Sequence, residues 1–176
     1  MSLGGVTAGA VPEPHPVSPR RAFIIVSSTR AAAGVYQDRT GPIIRDWLLE
    51  HGFAPDEPLV VPDGPPVAAA LSAALAGDFP LIVTTGGTGI GPGDVTPDAT
   101  SALLTAELPG FQEELRRRGS AHTPFALMSR GVAGVAGSTF IVNLPGSEGG
   151  VRDGLQLLGE VVEHVLEQLA GEAHHG

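Results

Sequence analysis

Three short runs of uninterrupted apolar residues mark the first half of the chain: Ala22-Phe-Ile-Ile-Val26, Leu59-Val-Val61 and Leu81-Ile-Val83. Continuous apolar character, in place of alternation, is what a strand covered on both faces requires, so these runs predict the middle of a parallel sheet. Between them the period changes. Thr40-Gly41-Pro42 reads as a helix entry, Ile43, Ile44, Trp47 and Leu48 fall on one helical face, and Gly52 ends the element. Val67, Leu71, Ala74 and Leu75 recur at the same spacing. Further on, Leu103 and Leu104 continue a helix opened at Thr96-Pro97-Asp98. Pro109-Gly110 ends that helix, and Phe111 to Arg118 forms another. Phe125 to Met128 fits helix or strand. Gly131 to Val135 and Thr139 to Leu144 are strand-like, and a connection as short as Ala136-Gly-Ser138 predicts an antiparallel pair within an otherwise parallel sheet. Val151, Leu155, Leu158, Val162, Val165 and Leu169 alternate spacings of four and three, which predicts a long amphipathic helix. Strand and helix alternate from residue 22 to 170, with too few strands to close a barrel. The predicted fold class is therefore α/β, a three-layer α/β/α sandwich with a mostly parallel sheet and one antiparallel strand pair.

The ends change this picture little. Residues 1–20 carry Gly4, Gly5, Pro12, Pro14, Pro16 and Pro19 and almost nothing large and apolar, so a disordered tail is expected there. A single domain over 21–170 follows, and 171–176 should fray. Composition then narrows the chemistry. With no cysteine there is no disulfide and no thiolate site, so a metal must be held by oxygen or imidazole. The six histidines show no metal-ligand spacing and are expected to be structural or solvent-facing. All ten basic residues are arginine, and the absence of lysine excludes a Walker-type phosphate loop and Schiff-base chemistry. A formal charge of −9 argues against a nucleic-acid partner, and Arg116-Arg117-Arg118 is expected to be a solvated helix face. No apolar run approaches a membrane span, and the cytoplasm is the expected compartment.

The remaining candidate chemistry lies just past the strands. After Leu81-Ile-Val83 the chain runs through Thr84-Thr85 into Gly86, Gly87, Thr88, Gly89, Gly91 and Gly93 before reopening as a helix at Thr96, where Thr96 is the expected cap. A loop without side chains between a strand end and a helix start exposes several N–H groups together, an arrangement that suits phosphate. Ser27, Ser28, Thr29 and Arg30 follow the first strand, and Pro62-Asp63-Gly64 follows the second. Open α/β sheets bind ligands at this edge. Two carboxylates, Asp63 and Asp94, beside an anion cradle are how a protein holds Mg²⁺ against a polyphosphate, and phosphoryl or nucleotidyl transfer follows as a reaction class. Turn chemistry alone is the competing explanation for Asp63 and for the Ser/Thr run. A dinucleotide-binding dehydrogenase fits less well, because the glycine loop follows the third strand and no acid ends the next strand in the expected place.

At these residues the chain resembles a known family. Thr84-Thr-Gly-Gly-Thr-Gly89, Asp94-Val-Thr-Pro-Asp98 and Asn143-Leu-Pro-Gly-Ser147 are similar to the signature of the Mog/MoaB-type molybdopterin adenylyltransferases of molybdenum-cofactor biosynthesis. The resemblance extends through Gly34-Val-Tyr36, Asp38, Thr40-Gly41-Pro42, Val61-Pro-Asp63, Pro109-Gly-Phe111 and Ser129-Arg130, and covers about residues 22–170. It implies a homotrimer, or a hexamer, that binds molybdopterin and joins AMP from Mg-ATP to the pterin's terminal phosphate, the product passing to a molybdenum insertase. It also implies roles for individual residues. Asp63 and Asp94 match the family's two key acids, expected to be catalytic and to hold Mg²⁺. Thr85, Gly86, Gly87, Thr88 and Gly89, with Ser28, Thr29 and Arg30, match phosphate or substrate contacts, and Pro145, Gly146 and Ser147 line the pterin side. The chain departs from the pattern where the family reads Ser-Asp-Arg and this sequence has Ser27-Ser-Thr-Arg30. It departs again at Gly93, which stands where arginine is common, and at Gly64, which stands where an acid is common. The missing acid keeps a non-catalytic pterin-binding or scaffold role as the alternative.

Overall fold

The computed structural model describes residues 18–171. Its strands are β1 (Arg20–Ser27), β2 (Phe53–Pro55), β3 (Leu59–Val61), β4 (Leu81–Thr85), β5 (Ala106–Glu107), β6 (Ala133–Ala136) and β7 (Thr139–Leu144). Its helices are α1 (Thr29–Ala32), α2 (Thr40–Glu50), α3 (Pro65–Ala76), α4 (Thr96–Ser101), α5 (Pro109–Ser120) and α6 (Glu148–Leu169). The strands form one sheet in the order β2-β1-β4-β7-β6-β5, with β3 also on β1. β2 and β3 share one lane along the edge of β1. The first pairs with Arg20 to Ala22 and the second with Ile25 to Ser27, both parallel. The β1–β4 and β4–β7 pairs are parallel, β6–β7 is antiparallel as expected, and two-residue β5 adds an antiparallel edge to β6.

Side chains alternate between two cores, as a period of two dictates. Ile24, Val26, Leu81, Val83, Phe140, Val142 and Leu144 face α2, α5 and α6, where they meet Ile44, Leu48, Phe111, Leu115, Val151, Leu155 and Leu158. Ile25, Ile82 and Ile141 face the other way, onto Val67, Leu71 and Ala74 of α3 and onto Ala99 of α4. The sheet lies between two helical layers, the predicted three-layer sandwich.

Several expectations are corrected. β1 starts at Arg20, inside the stretch expected to be tail; the rest of that expectation, and most of the frayed end at 171–176, lies outside the described residues. Phe125 to Met128, open between helix and strand, falls in a short 3-10 helix (Pro124–Met128) outside the core. It begins at a proline and is capped by the Thr123 hydroxyl, and Phe125, Leu127 and Met128 are exposed. Nor is the arginine triplet simply a solvated face. Arg117 stays exposed on Glu114, but Arg116 donates to the Ser129 carbonyl at 3.1 Å. Arg118 reaches both Glu114 and, across to α6, Glu160. Of the histidines, His51 stacks on Trp47 and His164 contacts Gln168, in keeping with structural roles.

Asn143 ties the parallel and antiparallel halves together. It is fully buried, its amide nitrogen donates to Thr84 Oγ1 and Thr100 Oγ1 at 3.0 Å each, and its Oδ1 accepts from the Val132 N–H at 3.1 Å. Truncation would leave the buried Thr84 hydroxyl and the Val132 N–H without this partner, while Thr100 Oγ1 keeps its bond to the Thr96 carbonyl at 2.8 Å. Asn143→Ala is therefore expected to cost about 2–4 kcal/mol, read as a lower urea midpoint.

Candidate functional site

Strands β1, β3, β4 and β7 run the same way, so their carboxyl ends and following loops meet at one edge of the sheet. Gly86 lies where three of those loops converge. Its N–H donates to the Leu144 carbonyl at 3.2 Å, and its φ of +84° is a conformation that glycine adopts freely. A Cβ there would sit 2.3 Å from the Ser27 carbonyl oxygen, and one on Gly146 would sit 3.3 Å from Gly86 Cα. Only glycine lets the three backbones pass this closely. Gly87, at φ +66°, covers the Thr96 and Ser27 hydroxyls in the same way. Among the described residues the N–H groups of Gly87, Thr88 and Gly89 meet no protein acceptor, which leaves them for a ligand.

Over this edge opens a cleft of about 410 Å³. It brings together Asp63, Asp94, Thr85, Gly86, Gly87 and Gly146, with Ser28, Thr29 and Arg30 from the loop after β1. Thr88, Gly89, Pro145 and Ser147 are not among its lining residues. The Ser147 hydroxyl caps α6 by accepting from the Gly150 N–H at 3.1 Å, and the Pro145 carbonyl accepts from Thr85 Oγ1 at 2.7 Å. These residues shape the second loop from behind.

Asp63 is held firmly. Its Oδ1 accepts from Ser27 Oγ at 2.6 Å, while Oδ2 accepts from the Thr29 hydroxyl at 2.8 Å and the Thr29 N–H at 3.1 Å. The Asp63 N–H donates back to Thr29 Oγ1. Thr29, standing where the family pattern has an acid, thus makes a reciprocal brace between the ends of β1 and β3. Partial burial pushes the Asp63 carboxyl up, but the donors from Ser27 and Thr29 outweigh it, and the group sits below its ordinary value of 3.8. A depressed carboxyl contributes stability that is complete above the unfolded-state value of about 3.9 and is lost as the pH falls through the folded-state value. The wild-type denaturation midpoint should therefore drop with acidification below about pH 4. Asp63→Asn should show a shallower dependence in the same window.

Asp94 belongs to the glycine loop itself. Its Oδ2 accepts from the Gly91 N–H at 2.9 Å, and a Cβ on Gly89 or Gly91 would lie 2.8 or 2.9 Å from that oxygen. The loop is wrapped around the carboxylate. Gly93 packs toward Asp63, with 3.6 Å between its Cβ position and Asp63 Cβ, which brings the segment carrying Asp94 beside the other acid. Thr96 is not a cap: the cap position is Val95, and Thr96 begins α4 with its hydroxyl fully buried beneath Gly87 and, among the described residues, without a partner.

The cleft also contains residues that the sequence did not single out as ligands. Tyr36 donates to or accepts from Ser28 Oγ at 2.8 Å, and the Arg30 guanidinium lies 5.4 Å from its ring centroid. Ser28 also caps α1. Among the described residues Arg30 has no carboxylate partner, which leaves its charge at the mouth. Arg39 and Glu148 pair loosely at 3.8 Å across the rim. Asp38 is occupied at the start of α2, where it accepts from the N–H groups of Thr40 and Gly41. Gly34-Val-Tyr36 and Asp38 were visible as motif residues; Glu148 carried no signal beyond its place at a helix start. Among the described residues no cluster of three or more acids and histidines could hold a metal alone, and no helix is long and apolar enough to cross a membrane.

An open sheet with a glycine loop and two acids at the carboxyl edge of its parallel strands defines an α/β ligand-binding domain of the anion-cradling class. A family model described as "Probable molybdopterin binding domain" matches residues 23–164. The chain belongs to this family, in its Mog/MoaB branch. It is 38% identical to a molybdenum cofactor biosynthesis bifunctional protein from Chlorobaculum tepidum over 97% of this chain and 53% of that protein. It is 37% identical to a molybdopterin adenylyltransferase from Haemophilus influenzae, over 76% of this chain and 70% of the relative. The solved structure of the molybdopterin biosynthesis Mog protein from Mycobacterium ulcerans is 52% identical, with a TM-score of 0.83 over 88% of this chain and 99% of the other. The chain spans about half the length of the bifunctional relatives it matches.

Proposed function

We propose that the protein binds molybdopterin and transfers AMP to it from Mg-ATP, as a molybdopterin adenylyltransferase of molybdenum-cofactor biosynthesis. The observation that carries this reading is the single cleft that joins the Gly86-Gly87 backbone to both Asp63 and Asp94. In the reaction a terminal phosphate oxygen of the pterin bonds to the α-phosphorus of ATP, the bridging bond to the β-phosphate breaks, and pyrophosphate leaves. The chain's part is to bind and orient. Loop N–H groups receive phosphate oxygens, Arg30 draws the polyanion to the mouth, and the rigid brace under Asp63 keeps that carboxylate from turning away.

Asp63 and Asp94 fit Mg²⁺. Asp63 Oδ1 takes one protein donor and Asp94 Oδ1 takes none among the described residues, so each has lone pairs to offer. With two carboxylates only, the other ligands would be phosphate oxygens and water, the usual pattern for this ion. Bound there, it supplies charge neutralisation on the phosphates.

Incubating the purified protein with molybdopterin and Mg-ATP, then measuring pyrophosphate and adenylylated pterin, tests the proposal. Pterin binding without pyrophosphate would favour the second reading, a non-catalytic binder. What supports that alternative is Thr29, which fills the place of an acid and occupies Asp63 Oδ2. The proposal extends to a homotrimer, or a hexamer, acting in the cytoplasm and passing its product to a molybdenum insertase. The exposed Phe125, Leu127 and Met128 support an oligomer, and sedimentation showing a monomer at every concentration would count against it.

A further inference from the structure

Arg130 lies between the 3-10 turn and β6, outside the cleft, yet its donors converge on one target. Its N–H donates to the Thr88 carbonyl at 2.8 Å and its Nε to the Gly89 carbonyl at 2.8 Å. Its Nη2 donates to the Asp94 carbonyl, and Nη1 meets the Asp98 carboxylate at 3.3 Å. The acceptors span the glycine loop: Thr88 and Gly89 at its middle, Asp94 just before α4, Asp98 in the first turn of α4. We infer that Arg130 is a positioning residue for the reaction, a clamp that ties the middle of the glycine loop to its far end in the shape that receives phosphate and presents Asp94 to the cleft.

The physical case begins with entropy. A segment this rich in glycine loses much freedom on ordering, and among the described residues the Asp94 carboxylate is the one side chain of the loop that hydrogen-bonds within it. A planar guanidinium supplies what it lacks, since several donors in a fixed fork can reach two carbonyls and a carboxylate at once. The peptide plane transmits the effect. In a trans peptide the N–H points opposite to the preceding C=O, so carbonyls of Thr88 and Gly89 drawn toward Arg130 turn the N–H groups of Gly89 and Ile90 away from it. The Asp94 carbonyl, anchored to the same guanidinium, fixes where that residue's carboxylate emerges. Lysine carries the same charge on a single point and cannot reproduce this bridging.

This inference rests on the proposed function for the identity of the ligand, but not for the clamp itself. The test compares wild-type protein, Arg130→Lys, Arg130→Gln and Asp98→Asn by calorimetric titration with Mg-ATP and by amide hydrogen exchange. Both Arg130 variants should bind Mg-ATP at least about tenfold more weakly, the scale expected for misplaced binding groups. Exchange should accelerate at the hydrogen-bonded loop amides of Gly91, Asp94 and Val95 and stay unchanged in β4 and β7. Asp98→Asn keeps both carbonyl bonds and should bind within about twofold of wild type. Wild-type affinity and loop exchange in Arg130→Lys would overturn the clamp. So would faster exchange throughout the sheet, which marks a general structural role. If the wild-type protein binds no Mg-ATP, the proposed activity falls, and faster exchange confined to the loop still upholds the clamp.

Discussion

Replacing Asp94 by Asn is expected to lower the proposed AMP transfer by about 10²-fold or more, the scale of removing one preorganised electrostatic group, while pterin affinity and thermal midpoint stay near wild type. The geometry makes this substitution unusually clean. One carboxylate oxygen of Asp94 accepts from the Gly91 N–H, and Gly89 and Gly91 leave no room around it for any larger rearrangement. Asn retains an oxygen for that hydrogen bond and has almost the same volume, so the loop keeps its turn. What disappears is the negative charge and the metal-ligating capacity of the second oxygen. Asp94→Ala separates the two contributions, because it removes the turn acceptor as well and should lower both turnover and melting temperature. Turnover, pterin affinity and thermal stability measured on the same preparations decide the matter. Normal turnover in Asp94→Asn, or a loss of rate that only tracks a loss of folded protein, would remove Asp94 from the chemistry and leave it as a loop buttress.

The sequence revealed the parts of this fold that are buried on both faces. β1, β4 and β7 are continuous apolar runs because helices cover each side, and α6 shows its stripe because one side packs on the sheet. β2 and β5 left little trace. β5 is two exposed residues, and β2 is three residues ending in a proline, which an edge lane tolerates because the missing N–H faces no partner. α1 buries nothing and so has no period to read. At the site, the glycine loop, Asp63 and Asp94 stood out because a phosphate cradle with carboxylate ligands calls for particular residue types in short spans, and one cleft brings them together. Their partnerships were not. That Thr29 braces Asp63 from 34 positions away, or that Thr96 lies buried beneath Gly87 instead of capping its helix, depends on how close two strand ends come, which no local pattern records. Arg118 makes the same point on the surface, since its place in a run of three arginines concealed a bridge to Glu160 on another helix.

That closeness of strand ends sets the largest stability effect expected of a single methyl group. Gly86→Ala places a Cβ 2.3 Å from the Ser27 carbonyl oxygen, well inside contact distance, at a φ of +84° that already disfavours a side chain. The oxygen cannot simply move aside, because Ser27 is the last residue of β1 and is paired with Val61 of β3. Left-handed backbone costs an L-residue about 1–2 kcal/mol, and forcing a packed neighbour apart adds about 1–3 kcal/mol. A combined loss of about 2–5 kcal/mol is a large share of the roughly 5–15 kcal/mol that holds a domain together. Gly34→Ala is the control: φ is +73°, but nothing lies within 4 Å of the new Cβ, so only the backbone cost of about 1–2 kcal/mol applies. Urea midpoints of the two variants should therefore differ clearly, with Gly86→Ala the lower, and equal midpoints would show that β1 yields without cost. Strain at this point also has a direction. Pushing Ser27 away from Gly86 shifts the hydroxyl that holds Asp63 Oδ1, so any Gly86→Ala protein that folds should bind Mg-ATP more weakly than its Gly34→Ala counterpart.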